Sequence, residues 1–579
     1  MTARWLGVPL ACLLLTGCGL PLADGVQDPP KLPAGQQQRG DIQVLPPGPR
    51  ESATSAQQVR DFFGAQSNPT DDHAIARSYL STALRQTWRD GPQVTVFEGA
   101  LSIAPLVAAK DTFRVTGRRV GRIATDGSYN KDFGTLSVRV HLSRLASGRW
   151  VIDDVPNGLV LSTADRDRSF IPNDIYFLAP EMSADAGRHL VPDRQFVPVT
   201  ADRADALVRR LLAGPSSALG DSVESAIPTG TTLLKPVRTD ADGLVTVELS
   251  RQVADASRAR REQLSAQIVW TLRGVGSDFS RLRLRGGGRA VQVSVGGADE
   301  LQNRGDWGSY DPDGLAPKAP AYYIADRRLR SLDGSLTDSP VTDERGSQLV
   351  DLAAVSANDG RLGVLTRVGR EWQLRIGPGS GPFGAPIWRG HDLSSPSWGR
   401  GQRGLWFLDS GNVMLAPQGG KPIAVPVDDL VRRGPYTALR VSRDGARVAL
   451  VAGTGRTRTL VVGRVYVVGG TLRIGGVHEV APGVVDVVDV SWDGPTSLVV
   501  LGRVSGLSTA VPVRVAVDGS VVAPLIRVGL ESTEPRSLAA APGRPLVVGA
   551  VRDGAPALFR DNTRQYTPEV KGADPFYPG

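Results

Sequence analysis

Five histidines, His73, His141, His189, His391 and His478, and two cysteines, Cys12 and Cys18, are the side chains of this 579-residue chain best suited to nucleophilic or metal chemistry. The histidines are scattered, and neither His-Glu-x-x-His, a histidine pair at helical spacing nor Gly-x-Ser-x-Gly accompanies them. A hydrolase needs its ligands, or its nucleophile and base, to converge on one point. A serine–lysine dyad is not expected either. Gly379-Ser380-Gly381-Pro382-Phe383-Gly384 satisfies G-x-G-x-x-G, but it reads as a loop with no following helix to hold a phosphate. Asp311-Pro312-Asp313-Gly314 lacks the run of oxygen ligands and the closing glutamate of a calcium loop. Asp153 and Asp154 are neighbours on an expected strand, so they point to opposite faces and cannot flank one bond. No enzyme, metal or cofactor is expected.

Cys18 closes a different pattern. Residues 1–18 carry one basic residue, Arg4, then an apolar stretch from Trp5 to Leu15 and the run Leu15-Thr16-Gly17-Cys18. The stretch is too short to span a bilayer and has the layout of a secretory signal. Leu-Thr-Gly-Cys resembles the lipobox of bacterial lipoproteins. That resemblance implies a signal peptide over residues 1–17, cleavage between Gly17 and Cys18, and an S-diacylglyceryl group on Cys18, with N-acylation compatible. Cys12, after Pro9-Leu10-Ala11, matches poorly and falls in the removed segment. The mature chain would then have no disulfide and no cysteine metal site. Two acyl chains on one anchor hold a protein stably where one is marginal. The expectation is a lipid-anchored, extracytoplasmic protein on the outer face of the cytoplasmic membrane.

The elements behind these residues fall into blocks. At 579 residues with 41% hydrophobic and 22% charged side chains, the chain is globular and too long for one core. Its net charge of +8 is carried mainly by arginine; an exported chain meets anionic lipid or wall polymer, and no nucleic acid. Residues 18–51 are polar and proline-rich and read as a disordered tether, reaching on the order of 100 Å if extended and about 30 Å as a coil.

Residues 52–168 open with helical patterns over Ala56–Gln66 and Asp71–Trp88 and turn to strands: Leu136, Val138 and Val140 alternate with Ser137, Arg139 and His141. Helices followed by an antiparallel sheet that closes on Trp150-Val151-Ile152 resemble the NTF2-like cone. Residues 169–309 hold the strand Asp174–Leu178, His189–Pro192 and Phe196–Val199, then a helix with Ala204, Leu207, Val208, Leu211 and Leu212 on one face, stopped by Gly214-Pro215. Ile227-Pro228-Thr229-Gly230-Thr231, the strand Leu244–Ser250 and a helix with Leu264, Ile268 and Leu272 follow. This order resembles the GerMN domain. Arg258, Arg260 and Arg261 form one arginine cluster; Arg281, Arg283 and Arg285 form another, alternating with Leu282 and Leu284 as one face of a strand. That face is either a dock for an acidic partner or a solvated surface.

From residue 310 to 579 a turn-then-strand element recurs around Ser356, Ser397, Ser442, Ser491 and Ala541, at spacings of 41, 45, 49 and 50 residues. Repeats of this length built from short strands mark β-propeller blades. Five anchors give five blades, with Tyr322-Tyr323-Ile324 completing the last or forming a sixth. The fold class expected is multidomain and mainly β: an α+β NTF2-like unit, an α+β GerMN-like unit and an all-β propeller of five or six blades.

Lipobox, tether, NTF2-like unit, GerMN-like unit and propeller, in this order, resemble the LpqB family of actinobacterial lipoproteins over nearly the whole chain. The resemblance implies a non-catalytic role: association with the extracellular domain of an MtrB-like sensor histidine kinase and modulation of signalling to its response regulator, MtrA, with effects on division and envelope homeostasis. The alternative is a module that binds cell-wall or anionic polymer, with Trp398 or Trp492 stacking on sugars.

Overall fold

The structure, a computed structural model, describes residues 46–579 except 92, 181–188, 201, 296–299, 337–340, 343–349, 380, 401–403, 429–433 and 563. Gly17, Cys18 and most of the 18–51 segment lie outside the described residues.

The first domain begins with the helix Ser55–Ala65, whose Thr54 cap is reciprocal: its hydroxyl accepts from Gln57 N, and Thr54 N donates to the Gln57 side chain at 2.9 Å. The expected long helix over Asp71–Trp88 is instead two short ones, Thr70–Ser78 and Thr82–Thr87. The break is made by a distant strand. Ile152 N donates to Tyr79 O at 3.0 Å, Ser81 N donates to Ile152 O at 2.7 Å, and the Ser81 hydroxyl caps the second helix. The helices pack Phe62 and Trp88 against Val96, Val115, Val140 and Ile152 of a five-stranded sheet. Its order is Trp150–Asp154, Tyr129–Arg144, Thr112–Ala124, Gln93–Pro105 and Leu159–Ser162. The last pair is parallel, Val94 lying opposite Leu159. The sheet is thus neither wholly antiparallel nor closed by the Trp150 strand, because the chain crosses over through Pro156-Asn157-Gly158 and adds its apolar run at the far edge.

A two-stranded hairpin follows, Phe170–Leu178 paired with Leu190–Pro198. The separate segments read from the sequence around His189 and Phe196 are one strand. This hairpin serves two cores. Phe170 and Phe196 are buried with the first domain, where Phe196 lies 5.5 Å from Tyr129 by ring centroids. Ile175, Phe177, Leu190, Val191 and Val197 belong to the second.

The second core is completed by the helix Arg203–Ala213, with Ala204, Leu207, Val208 and Leu211 buried, and by the helix Arg258–Leu272, with Leu264, Ile268 and Leu272 buried. Gly214 ends the first helix at φ +92°, where a side chain would be strained. Leu244–Leu249 and Arg281–Gly286 lie side by side and parallel, as the intervening helical crossover requires.

The remainder is the propeller: five four-stranded sheets and one three-stranded sheet around an axis. The three-stranded sheet joins Tyr322–Ala325 and Arg328–Ser331 to the last strand of the chain, Ala573–Phe576. Early and late strands therefore close the ring in a sixth blade. The repeated Ser-Trp dipeptides rivet successive blades. Trp398 Nε1 donates to Ala354 O of the preceding blade at 3.1 Å, and Trp492 Nε1 donates to Arg440 O at 3.0 Å. The adjoining hydroxyls face the next blade: Ser397 accepts from Val441 N and Ser491 from Ala540 N, both at 3.0 Å.

Candidate functional site

The residues that could carry chemistry are held apart. His73 is buried beside Asp90 at 3.4 Å, and burial holds its imidazole below the usual pKa. His189 Nε2 lies 3.1 Å from Asp444 O, His478 Nδ1 lies 2.9 Å from Gly476 O, and His391 is exposed. A bulge at Asp153 turns that carboxylate onto His141 Nδ1 at 2.5 Å. Strict alternation of strand side chains hid this pair. Among the described residues no hydroxyl or thiol bonds to the other nitrogen of His141. Ser128 and Lys131 do stand at the Ser-x-x-Lys interval, against the expectation of no serine–lysine dyad. They face different partners: Ser128 donates to Asp126 at 2.6 Å, and Lys131 donates to Gly519 O at 3.1 Å. Gly381-Pro382 of the G-x-G-x-x-G run pairs with Val341-Thr342 as a propeller connection, while Ser380 lies outside the described residues. Asp313 of the Asp311–Gly314 turn pairs with Arg443 at 3.2 Å.

Trp398 and Trp492 are 8% and 4% exposed and committed to blade packing. The stacking of sugars on these two rings is excluded by their burial.

The two arginine clusters part company. Arg258 pairs with Glu262 at 3.1 Å, Arg260 donates to Ser225 O, and Arg261 donates to Ala256 O and Gln292 O. These guanidiniums tie down loops. Arg283 and Arg285 stand on the outer face of the second-domain sheet, opposite Thr246 and Glu248, while Leu282 and Leu284 are buried beneath. With Lys235 and Arg238 they line an open groove of about 700 Å³. Four cations there meet two carboxylates, Asp240 and Glu248, and Lys235 reaches Glu248 at 2.7 Å. The face is positive, concave and polar.

A further polar construction lies at the junction of hairpin and propeller. Arg447 donates to Pro192 O at 2.6 Å, Arg194 pairs with Asp518 at 3.1 Å, and Thr496 donates to Asp174 at 3.2 Å. Burial pushes the Asp174 carboxyl up, with Arg194 and Arg447 pulling it down. Asp193, fully buried, accepts from Ser216 N at 2.6 Å and from the Ser216 hydroxyl at 2.8 Å. Buried pairs of this kind add little net stability but fix one arrangement, since an unpaired alternative is costly. The first domain joins through Lys131. A cavity of about 250 Å³ lies at the meeting point, lined by Tyr129, Arg194, Ser217, Arg464, His478 and Asp518 among others.

Three family models match in series: the lipoprotein LpqB N-terminal domain over residues 48–167, the sporulation and spore germination domain over 174–299, and the lipoprotein LpqB beta-propeller domain over 329–578. Relatives named Lipoprotein LpqB align almost end to end. That of Thermobifida fusca (strain YX) is 28% identical, covering 99% of this chain and 98% of its own length. That of Streptomyces coelicolor is 27% identical, covering 98% and 96%. Among solved structures, TolB from Acinetobacter baumannii matches 45% of this chain and 66% of its own, at 13% identity and a TM-score of 0.33. The first GerMN domain of GerM from Bacillus subtilis matches 22% of this chain and 91% of its own, at 19% identity and a TM-score of 0.18. Two domain models specific to one lipoprotein family, in order and flanking a spore-germination module, together with relatives aligned over the whole length, place the chain in the LpqB lipoprotein family.

Proposed function

We propose that this chain is a lipid-anchored protein of the outer face of the cytoplasmic membrane, held by Cys18, that acts without catalysis by biasing a neighbouring sensor histidine kinase of the MtrB type through its extracellular domain. The observation that carries this reading is the junction: the half-buried ion pair Arg194–Asp518 and the buried hydrogen bond from Arg447 to Pro192 O hold propeller and hairpin in one arrangement. A partner bound to one domain is thereby held in a fixed orientation to the others. Biasing a kinase requires different affinities for its two states, since equal affinity shifts nothing. Pull-down from membranes with the anchored protein should recover the kinase, and Cys18→Ala should release the protein or leave it unprocessed. Recovery of other envelope proteins without the kinase, or a Cys18→Ala protein that stays membrane-bound at its processed size, counts against the proposal.

The second reading, binding of an anionic wall polymer, draws on the groove around Arg283 and Arg285. Sedimentation with purified cell wall, abolished by Arg283→Glu with Arg285→Glu, is its expected outcome; unchanged binding by that variant removes it.

A further inference from the structure

The propeller axis holds a cavity of about 200 Å³. Six innermost strands surround it: Leu352–Val355, Leu393–Gly399, Tyr436–Val441, Val484–Gly494, Glu534–Ala539 and Ala573–Phe576. Where these strands finish, the axis is closed. Arg443, 7% exposed, lies across it, donating to Pro578 O at 2.9 Å and pairing with Asp313, while Gly579 N donates to Val355 O.

Where the strands start, the ladder is broken in five of the six. The extra residues fall at Ser395-Pro396, Thr437, Asp486–Val488, Arg536 and Asp574-Pro575. Ser395, Thr437, Val488, Arg536 and Asp574 all line the cavity. Ser395 and Asp574 hold φ of +54° and +48°, a region costly for residues other than glycine. A bulge re-aims a side chain out of the regular pleat. Five bulges at the same end of one axis build a polar mouth over a blind floor.

The charges in that mouth do not balance. Arg440 pairs with Asp489 at 3.4 Å, and Asp489 also accepts from Val490 N at 2.9 Å and Leu538 N at 3.0 Å. Arg536 turns to Glu534 at 2.7 Å. Asp574 is left over: it is partly buried, and no donor among the described residues reaches its carboxylate. Ser394, Ser395, Ser537, Trp492 and Phe576 line the same cavity.

We propose that the axial cavity binds a single cationic group, a primary ammonium or guanidinium, with Asp574 as its counter-ion. The volume and the closed floor suit one short side chain or small amine and exclude a threaded polymer. A free amine and a lysine or arginine side chain of a protein segment laid across the mouth supply the same chemistry.

Calorimetric titration of the purified full chain tests this with n-butylammonium, with a short lysine-containing peptide and with its norleucine counterpart. One-site binding of both cations is expected near pH 7.5, weaker near pH 5 as Asp574 takes up a proton, and absent for the norleucine peptide. Asp574→Asn preserves shape and tolerates positive φ; it should weaken binding about tenfold or more, as loss of a charged partner does. Arg536→Ala removes a rim cation and should tighten binding several-fold, which tests the same electrostatics without touching Asp574. A peptide that binds more tightly than butylammonium identifies a protein segment as the source, and equal affinities identify a free amine. Binding of neither cation, equal binding by wild type and Asp574→Asn, or binding by the norleucine peptide as tight as that by the lysine peptide overturns the proposal.

Discussion

Asp574 has a carboxyl pushed up to about 6, first by burial and then by Asp489, with Arg440 offsetting part of the effect. The unfolded chain ionises this group near 3.8, so between 3.8 and 6 the folded state binds the extra proton. Stability from this group is therefore greatest in acid and declines as pH rises through that window, by up to about 3 kcal/mol. Asp574→Asn should melt at a higher temperature than wild type near pH 8, and the difference should vanish by about pH 4. His73 acts with the opposite sign. Its lowered pKa means the unfolded chain takes the proton first, so its contribution is present at neutral pH and is lost as pH falls below 6.5. A His73→Gln variant should show a flatter loss of stability than wild type as pH falls below 6.5 in the same melting series.

Between blades, the recurring Ser-Trp dipeptide does the joining. Trp492→Ala would remove a buried ring and leave Arg440 O without its donor, costing about 3–5 kcal/mol. Thermal melting should register that loss, and Trp398→Ala should behave alike, while binding to cell wall stays unchanged in the fraction that remains folded. Elements specified by their own residues were legible in the sequence. The helix Ser55–Ala65, expected over Ala56–Gln66, the Leu282/Leu284 alternation and the recurrent turns are local chemistry, and they appear within a residue or so of their expected places. Elements decided by a distant partner were not. Nothing near Tyr79 announces that Ile152 will interrupt a helix there, and nothing near Leu159 says that its partner is Val94. Period-2 spacing also cannot distinguish a tryptophan wedged between blades from one facing solvent. The axial mouth escaped for a related reason: each bulge is a mismatch between two strands, and only the closed ring brings five of them together.

At the scale of the molecule, the blocks separated by sequence all meet one hairpin, and Lys131 adds a direct bond from the first domain to the propeller. The hairpin's Phe170 and Phe196 complete the first core, its Ile175 and Phe177 the second, and its Pro192 and Arg194 meet the propeller. Calorimetry of the full chain should therefore show a single cooperative transition. Arg447→Met strips Pro192 O of its donor and leaves Asp444 without its counter-charge at 3.6 Å. It should cost about 3–5 kcal/mol, as breaking a buried pair does, and split the propeller transition from the rest; one unsplit transition at the wild-type temperature would show that the cores are coupled by other means. The hairpin also constrains how such a protein can be reshuffled in descent. A crossover between two relatives at its edge would hand one parent's Phe170 and Phe196 to the other parent's core, and mismatch Arg194 with its acceptor across the junction. The module that recombines cleanly is therefore larger than any one domain: the hairpin must travel with its neighbours on all three sides.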